Sequence, residues 1–235
     1  MDIFSELTIV IPAKNESVGL RKILPLLKDT CTGAEIIVVN DGSTDDTAEY
    51  SLSEGVQVLS HPYSKGNGAA VKSGARMATR DWIVFIDGDG QHSPDDIIRL
   101  AEKAAEGYDM VVGARQGVSS QASFARWSAN TIYNWLASWM VNRPIPDLTS
   151  GLRMIRRQKF MEFLYLLPNG FSYPTTTTMA FFRAGYSVGF VPIQASRREG
   201  KSHINPMRDG VRFLLIILKV GSLYSPLKIF LPISF

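Results

Sequence analysis

The stretch Trp82-Ile83-Val84-Phe85-Ile86-Asp87-Gly88-Asp89-Gly90-Gln91-His92 decides the fold. Its first five residues are apolar and rich in β-branched and aromatic side chains, which predicts a strand buried on both faces. The strand runs directly into two aspartates separated by one glycine. Open α/β sheets bind ligands at the carboxyl edge of their strands, and two adjacent carboxylates suit a divalent cation that phosphates also hold. The stretch therefore predicts a metal and nucleotide site. The alternative interpretation is a solvated acidic turn.

Further buried strands are predicted on both sides of this stretch, and helices separate them. The predicted strands cover residues 7–12, 34–39, 56–59 and 109–115, and a later one covers 186–192. This alternation predicts an α/β fold with a doubly wound, mostly parallel sheet and flanking helices. Polar residues that follow these strands then collect at one edge: Asp41, Asp87, Asp89 and Arg115.

Two familiar phosphate-binding signatures are absent from the sequence. No Gly-x-Gly-x-x-Gly follows the first strand, and there is no Walker loop. Gly66 and Gly68 open a predicted helix, where backbone N–H groups could face a phosphate. This pattern is weak by itself because many αβ turns share it.

Composition excludes several classes of protein. The net charge of +3 comes without a dense run of Lys and Arg, so nucleic acid is not an expected partner. The single cysteine, Cys31, rules out an intramolecular disulfide and fits a reducing compartment. We place Cys31 in a loop and expect no catalytic role for it.

Residues 122–141 form a predicted helix with aromatic residues on one face, namely Phe124, Trp127, Trp135 and Trp139. The sequence leaves two interpretations open, a stripe that faces the core and a face that lies at a bilayer interface, where tryptophan is favoured. A second apolar helix is predicted over residues 207–220, with a cationic stripe of Arg208, Arg212 and Lys219 that suits an anionic membrane surface. Residues 223–235 are apolar but too interrupted by proline for a spanning helix.

Several motifs occur together, and their order is more specific than any one of them. They are Ile11-Pro12-Ala13-Lys14-Asn15-Glu16, Asn40-Asp41-Gly42-Ser43-Thr44-Asp45, Asp87-Gly88-Asp89-Gly90-Gln91-His92 and Gly113-Ala114-Arg115. This set resembles family-2 glycosyltransferases. Ser150-Gly151-Leu152-Arg153 and Arg197-Arg198-Glu199-Gly200-Lys201-Ser202 narrow the resemblance to the polyprenyl-phosphate branch, which includes dolichol-phosphate mannose synthase.

The resemblance implies an A-type glycosyltransferase fold and metal-dependent, inverting transfer of a hexose. The implied donor is a nucleotide-sugar of the GDP-mannose or UDP-glucose type, the acceptor is dolichyl or undecaprenyl phosphate, and the cofactor is Mg²⁺ or Mn²⁺. It implies a catalytic domain over residues 1–205 and a membrane-proximal tail over 206–235. We expect a peripheral or tail-anchored protein on the cytoplasmic face of a membrane.

The resemblance also implies roles for individual residues. Asp87, Asp89 and Gln91 would hold the metal, with Asp87 and Gly88 near the ribose and phosphates, while Asp89, Arg115 and Arg197 would be catalytic. The nucleoside would contact Pro12, Lys14, Glu16, Val39 and Asp41, and the phosphates would contact Arg115, Arg197 and His203.

Three features of the sequence differ from what is common in this branch. His203 stands where lysine is common, and Lys14 stands where an aromatic residue is common. The run Tyr173-Pro174-Thr175-Thr176-Thr177-Thr178 replaces a more acidic segment.

A phosphate acceptor is already anionic, so the reaction needs no strong general base, whereas a hydroxyl acceptor would need one.

Four other functions remain as alternatives. They are transfer to a non-lipid acceptor, sugar-phosphate nucleotidyl transfer, non-catalytic binding of sugar nucleotides or membranes, and processive polysaccharide synthesis. The nucleotidyltransferase is disfavoured because Ala13-Lys14-Asn15-Glu16 lacks the expected glycine-rich basic signature after the first strand. The processive synthase is disfavoured because the only Arg-Trp pair, Arg126-Trp127, lies early and lacks the preceding glutamine.

Overall fold

The computed structural model describes residues 3–115, 124–170, 172–194, 214–216, 218–219, 221–222 and 226–230. A seven-stranded sheet forms its centre, with the strand order β3-β2-β1-β4-β6-β5-β7. The strands are β1 Leu7–Ala13, β2 Glu35–Asn40, β3 Gln57–Ser60, β4 Trp82–Phe85, β5 Met110–Arg115, β6 Arg153–Arg156 and β7 Val188–Ile193. The predicted doubly wound, mostly parallel sheet is confirmed.

One strand runs against the others, and it changes what surrounds the central strand. β6 is antiparallel to both of its neighbours, pairing Phe85 with Arg153 and Val112 with Arg153. The chain crosses from β5 through a long helix before it returns to fill the gap between β4 and β5. The turn that precedes β6 therefore lies beside the carboxyl end of β4.

The central strand is shorter than predicted. β4 ends at Phe85, and Ile86 still donates its N–H to the Val10 carbonyl at 3.2 Å before the chain turns away. The turn Asp87-Gly88-Asp89 therefore begins just beyond the sheet. This shift leaves both carboxylates at the predicted edge.

Helices cover both faces of the sheet. They are α1 Ser17–Thr30, α2 Thr47–Ser53, α3 Asn67–Met77, α4 Pro94–Ala105, α5 Phe124–Val141, α6 Arg157–Met161, α7 Tyr173–Arg183 and α8 Pro226–Phe230. One core lies between the sheet and α1 with α4, and the other lies between the sheet and α3, α6 and α7. Alternate residues of β1 divide between these cores, with Ile9 and Ile11 in the first and Val10 in the second.

The aromatic face of α5 points away from the core where the structure describes its side chains. Trp135 is 66% exposed and Trp139 is 41% exposed, whereas Ala137 and Met140 are buried against α7. The interpretation of this face as a core stripe is therefore wrong at residues 135 and 139. The side chains of Phe124 and Trp127 lie outside the described residues.

The C-terminal part is described only in pieces. Residues 214–216, 218–219 and 221–222 are helical, and α8 follows them. Arg208 and Arg212 lie outside the described residues, as does the boundary predicted at residue 205. Over the described ranges, no helix combines the length and apolarity needed to cross a bilayer.

Cys31 lies at the C-terminal end of α1 rather than in an open loop, and it is buried in the core. Burial raises the pKa of the Cys31 thiol to about 11. Because the thiolate is the reactive form, the thiol is chemically inert near neutral pH.

We expect native protein at pH 8 to leave Cys31 unmodified by a thiol-specific reagent, and denatured protein to react fully. The colour released by an aromatic disulfide reagent measures this directly. Rapid stoichiometric labelling of the native protein would contradict the buried position.

Candidate functional site

The loops that follow β1 and β2 are joined by hydrogen bonds at the sheet edge. Asn15 adopts a left-handed backbone with φ of 54°, and its side chain accepts from the Thr44 N–H at 2.8 Å. The Asn15 N–H donates to the Ser43 hydroxyl at 3.0 Å, and the Glu16 N–H donates to the Thr47 hydroxyl at 3.1 Å. These bonds place exposed Lys14 and half-buried Glu16 beside the loop of Asp41.

Asp41 organises the next loop along the chain. Its carboxylate accepts from the His61 ring at 2.7 Å, the Ser64 hydroxyl at 2.8 Å, and the backbone N–H groups of Lys65 and Gly66 at 2.8 and 2.9 Å. Burial alone would raise the pKa of Asp41, but these hydrogen bonds outweigh burial and lower the pKa. The carboxylate is thus ionised and already held by four donors of its own chain.

The glycine pair at the start of α3 does not present free N–H groups to a phosphate. The Gly66 N–H donates to Asp41, and the Gly68 N–H donates to the Gly170 carbonyl at 3.0 Å. Ala69 donates to the Asn169 carbonyl at 2.8 Å. The phosphate-binding interpretation of these glycines is wrong, because the turn before α7 takes the place that a phosphate would occupy.

Val39, which is predicted to contact the nucleoside, has its side chain in the core. Its side chain is buried in the core under α3, where a Cβ at Gly74 would lie 3.1 Å from Val39 Cγ2. Pro12 is the strand partner of Val39 and is also buried. Any contact of Val39 with a nucleoside would therefore use the backbone.

The turn Asp87-Gly88-Asp89 packs tightly against the start of α1. A Cβ at Gly19 would lie 2.2 Å from the Gly88 carbonyl oxygen, so only glycine fits at this point of α1. Asp89 accepts the Gln91 N–H at 3.2 Å, and Gly90 has φ of 71°, a conformation that glycine adopts readily. These contacts fix the turn so that Asp87, Asp89 and Gln91 are half-buried at one place.

The other side of Asp87 is closed by the turn before β6. A Cβ at Gly151 would lie 2.5 Å from Asp87 Oδ2, closer than any real contact of this kind. In the motif Ser150-Gly151-Leu152-Arg153, Gly151 has no side chain, and this leaves room for the Asp87 carboxylate.

Arg115 is held by an acidic residue that the sequence analysis did not select. Asp147 accepts from Arg115 Nε at 2.8 Å and from Nη2 at 3.0 Å, and Thr149 accepts from Nη2 at 2.6 Å. Asp147 is buried, and hydrogen bonds from Arg115 lower the pKa of Asp147 although burial opposes this. One pattern in the sequence could have revealed Asp147. It is an acidic residue in the turn before one strand, while the cationic Arg115 ends another strand of the same sheet.

A second arginine lies beneath the site without a carboxylate partner among its hydrogen bonds. Arg153 is fully buried, and its Nη1 donates to the Pro174 carbonyl at 3.0 Å and to the Thr178 hydroxyl at 3.2 Å. Its Nη2 donates to the Ser150 carbonyl, and its guanidinium lies 5.5 Å from the Tyr173 ring centre. Burial lowers the pKa of Arg153, while the more distant charges of Asp147 and Asp87 oppose the shift.

A cavity of about 90 Å³ opens between these segments. It is lined by Asn67, Asp87, Thr149, Gly151, Ser172, Tyr173 and Pro174. The starts of α3 and α7, the turn before β6 and the end of β4 therefore all contribute to it.

The donor set fits a cation that is shared with a ligand. Across the described part of the chain, no group of three or more His, Cys, Asp or Glu side chains is placed to hold a metal. Mg²⁺ is usually held by one or two carboxylates together with substrate phosphates, and the oxygens of Asp87, Asp89 and Gln91 suit that arrangement. Arg197 and His203 lie outside the described residues.

We expect Asp147→Asn to lower the free energy of unfolding by about 3 kcal/mol, because the change leaves the largely buried Arg115 guanidinium without its charged partner. Urea unfolding measures this loss. Asp46→Asn is the matched control, since Asp46 pairs with Arg21 at an exposed position where both side chains are 52% accessible. Equal effects of the two substitutions would contradict a structural role for the Arg115–Asp147 pair.

Comparison with known proteins identifies relatives over most of the chain. A dolichyl-phosphate hexose transferase of Haloferax volcanii is 26% identical over 219 residues, which cover 92% of this chain and 94% of that protein. Glycosyltransferase AglJ of the same organism is 26% identical over 97% of this chain and 76% of its own. An undecaprenyl-phosphate 4-deoxy-4-formamido-L-arabinose transferase of Klebsiella pneumoniae is 34% identical over 65% of this chain, which matches 49% of that longer protein.

Solved structures share the fold. Glucosyl-3-phosphoglycerate synthase from Mycobacterium tuberculosis, crystallised with Mn²⁺ and uridine-diphosphate-glucose, superimposes with a TM-score of 0.74 at 19% identity. The match covers 94% of this chain and 83% of that one. At this identity the likeness concerns the fold, and it confirms the predicted A-type glycosyltransferase architecture.

The family assignment rests on the sequence profile as well as on the fold. The model of glycosyl transferase family 2 matches residues 8–164, which include β1, β2, β4, the Asp87-Gly88-Asp89 turn and the turn that carries Asp147. The predicted resemblance is confirmed, and the relatives named above include polyprenyl-phosphate sugar transferases. The chain is a glycosyltransferase and belongs to glycosyl transferase family 2.

Proposed function

We propose that this chain transfers a hexose from a nucleotide-sugar to a polyprenyl phosphate in a reaction that depends on a divalent metal. The observation that carries the proposal is the turn Asp87-Gly88-Asp89, packed between Gly19 of α1 and Gly151 at the carboxyl edge of the sheet. The acceptor class is supported by relatives named as dolichyl-phosphate and undecaprenyl-phosphate sugar transferases.

The metal would be Mg²⁺ or Mn²⁺, held by Asp87, Asp89 and Gln91 together with the donor diphosphate. Bound there, it would stabilise the negative charge that develops on the leaving nucleoside diphosphate. The exposed Lys14 and half-buried Glu16 lie beside the Asp41 loop and would contact the nucleoside. Arg115, Arg197 and His203 would contact phosphates, with Arg115 oriented for this by Asp147.

The polar groups around the cavity suit an acceptor that needs no deprotonation. Asp87 is the only carboxylate among the described residues of the lining, and it is the proposed metal ligand. Tyr173 is fully buried, and burial raises the pKa of its phenol, so this group stays protonated. A polyprenyl phosphate oxygen is already anionic, and its direct attack on the anomeric carbon would invert the configuration.

The first test is a panel of nucleotide-sugars offered with polyprenyl phosphate and Mg²⁺ or Mn²⁺. We expect one donor to yield a lipid-linked sugar of inverted configuration. Asp89→Ala should reduce this rate by about a hundredfold or more, because it removes a ligand of the cation that stabilises the leaving group. Asp29→Ala, an exposed aspartate near the far end of α1, should leave the rate unchanged.

The panel also separates the alternatives. Sugar transfer to phosphoglycerate but not to lipid would overturn the acceptor assignment. Release of pyrophosphate from a nucleoside triphosphate would indicate nucleotidyl transfer instead. A product with retained configuration would contradict direct displacement.

We also propose that the chain approaches its lipid substrate through an exposed apolar patch, defined as Ile132, Trp135 and Trp139 of α5 with Leu227 and Phe230 of α8. Lys228 attaches α8 to the end of α5, donating to the Trp139 carbonyl at 2.5 Å and to Asn142 Oδ1 at 2.6 Å. Its ammonium lies 5.4 Å from the Trp139 ring centre. Tryptophan beside a lysine on an apolar surface suits the interface between water and lipid.

Trp135→Ala should weaken binding to anionic phospholipid vesicles by about tenfold, because the large exposed side chain would otherwise enter the lipid interface. Co-sedimentation with vesicles measures the binding. Tyr165→Ala is the matched control, since Tyr165 is an exposed aromatic residue outside the patch. Equal loss in both variants, or no binding by the unmodified protein, would count against this patch.

A further inference from the structure

The cavity beside Asp87 contains polar groups that the proposed metal and phosphate contacts do not use. Ser172 lines it, and the Ser172 side-chain oxygen has no hydrogen-bond partner in the described part of the chain although the residue is 97% buried. The hydroxyls of Ser150 and Thr175, also fully buried, are in the same state. Buried hydroxyl groups normally have partners, so the Ser172 hydroxyl in the wall of the cavity requires an explanation.

The neighbouring threonines of α7 show what satisfied hydroxyls look like in this segment. Thr177 donates to the Tyr173 carbonyl at 2.8 Å, and Thr178 accepts from Arg153 at 3.2 Å. Thr176 donates to the Ser172 carbonyl at 3.4 Å. Among these residues, Ser172 is the one that both lines the cavity and has a hydroxyl without a partner in the described part of the chain.

Ser172 is unusual in its backbone as well. It has φ of 82° and ψ of 32°, a left-handed conformation that is unfavourable for residues other than glycine. It precedes α7 as the N-cap residue, yet its side chain makes no capping hydrogen bond. Serine at this position thus combines an unfavourable backbone with an unused hydroxyl, a combination that is typical of ligand-binding positions.

Several other groups of the lining are already hydrogen bonded within the protein. The Tyr173 hydroxyl donates to the Gly151 carbonyl at 3.1 Å, and Gly151 itself lies against the Asp87 carboxylate. Thr149 accepts from Arg115 at 2.6 Å, and the Pro174 carbonyl accepts from Arg153 at 3.0 Å.

We propose that Ser172 determines sugar specificity by hydrogen bonding a hydroxyl group of the transferred sugar. This inference rests on the proposed glycosyl transfer. Hydroxyl groups both donate and accept, so a sugar hydroxyl can pair with the Ser172 hydroxyl. The cavity, with a volume of about 90 Å³, has room for polar groups of a ligand beside Asp87.

Ser172→Gly is the decisive variant because glycine accepts the left-handed backbone, so the change removes the hydroxyl without adding strain. With Mn²⁺ present, calorimetry would compare binding of UDP-glucose with UDP, and of GDP-mannose with GDP. We expect the variant to bind the preferred nucleotide-sugar about tenfold more weakly, the size of one neutral hydrogen bond, and to bind the bare nucleoside diphosphate unchanged.

Monodeoxy forms of the preferred donor would identify the bonded hydroxyl. The unmodified protein should bind one of these forms about tenfold more weakly than it binds the complete donor. Ser172→Gly should bind that same form as tightly as it binds the complete donor. Asn142→Gly is the matched control, since Asn142 also has a left-handed backbone, with φ of 55°, but lies at the far end of α5. It should bind all these ligands unchanged.

The remaining outcomes each overturn the inference. Equal loss for the nucleotide and the nucleotide-sugar would mean that Ser172 acts on the nucleotide site, and no loss for either would mean that its hydroxyl contacts no sugar. Failure of the unmodified protein to bind any of the four nucleotides would instead remove the proposed function, and this inference with it.

Discussion

The Asp87 carboxylate occupies its position because residue 151 has no side chain. A Cβ on Gly151 would collide with Asp87 Oδ2. On the opposite side of the turn, a Cβ on Gly19 would collide with the Gly88 carbonyl oxygen. The two carboxylates are therefore fixed by close backbone packing from α1 on one side and from the turn before β6 on the other. Precise placement of this kind is what a shared metal site requires, because the cation tolerates little displacement of its oxygens.

The antiparallel strand β6 is the reason that this turn reaches Asp87 at all. A parallel strand in its place would enter the sheet from the other edge, and its preceding turn would lie far from the carboxyl end of β4. Because β6 enters from the edge of the site, it brings Asp147, Thr149, Gly151 and Arg153 to one place within seven residues of chain. Arg115 at the end of β5 then finds its partner across the sheet edge.

The sequence predicted those parts of the molecule that depend on local pattern. The buried strands follow from continuous apolar runs, and the edge position of Asp41, Asp87 and Asp89 follows from strands that end at polar residues. What it missed depends on partners distant in sequence. Gly66 and Gly68 resemble a phosphate loop, but the Asn169-Gly170 turn occupies their N–H groups, and no local signal reports that contact. The Asp147 partner of Arg115 depends likewise on the insertion of β6 between β4 and β5.

Helix α5 shows how the polar site and the apolar surface are joined in one element. Asn134 donates to the Pro146 carbonyl at 2.7 Å and accepts from the Leu148 N–H at 3.0 Å. These two hydrogen bonds hold the turn that carries Asp147 against α5. The next residue, Trp135, points outward into the exposed apolar patch. Adjacent residues of a helix point about 100° apart, which lets a single turn of α5 serve both surfaces. Asn134, which anchors the Asp147 turn, is therefore bonded directly to Trp135, the most exposed tryptophan among the described side chains. One helix thus sets the distance between the proposed lipid surface and the site that would act on the lipid phosphate.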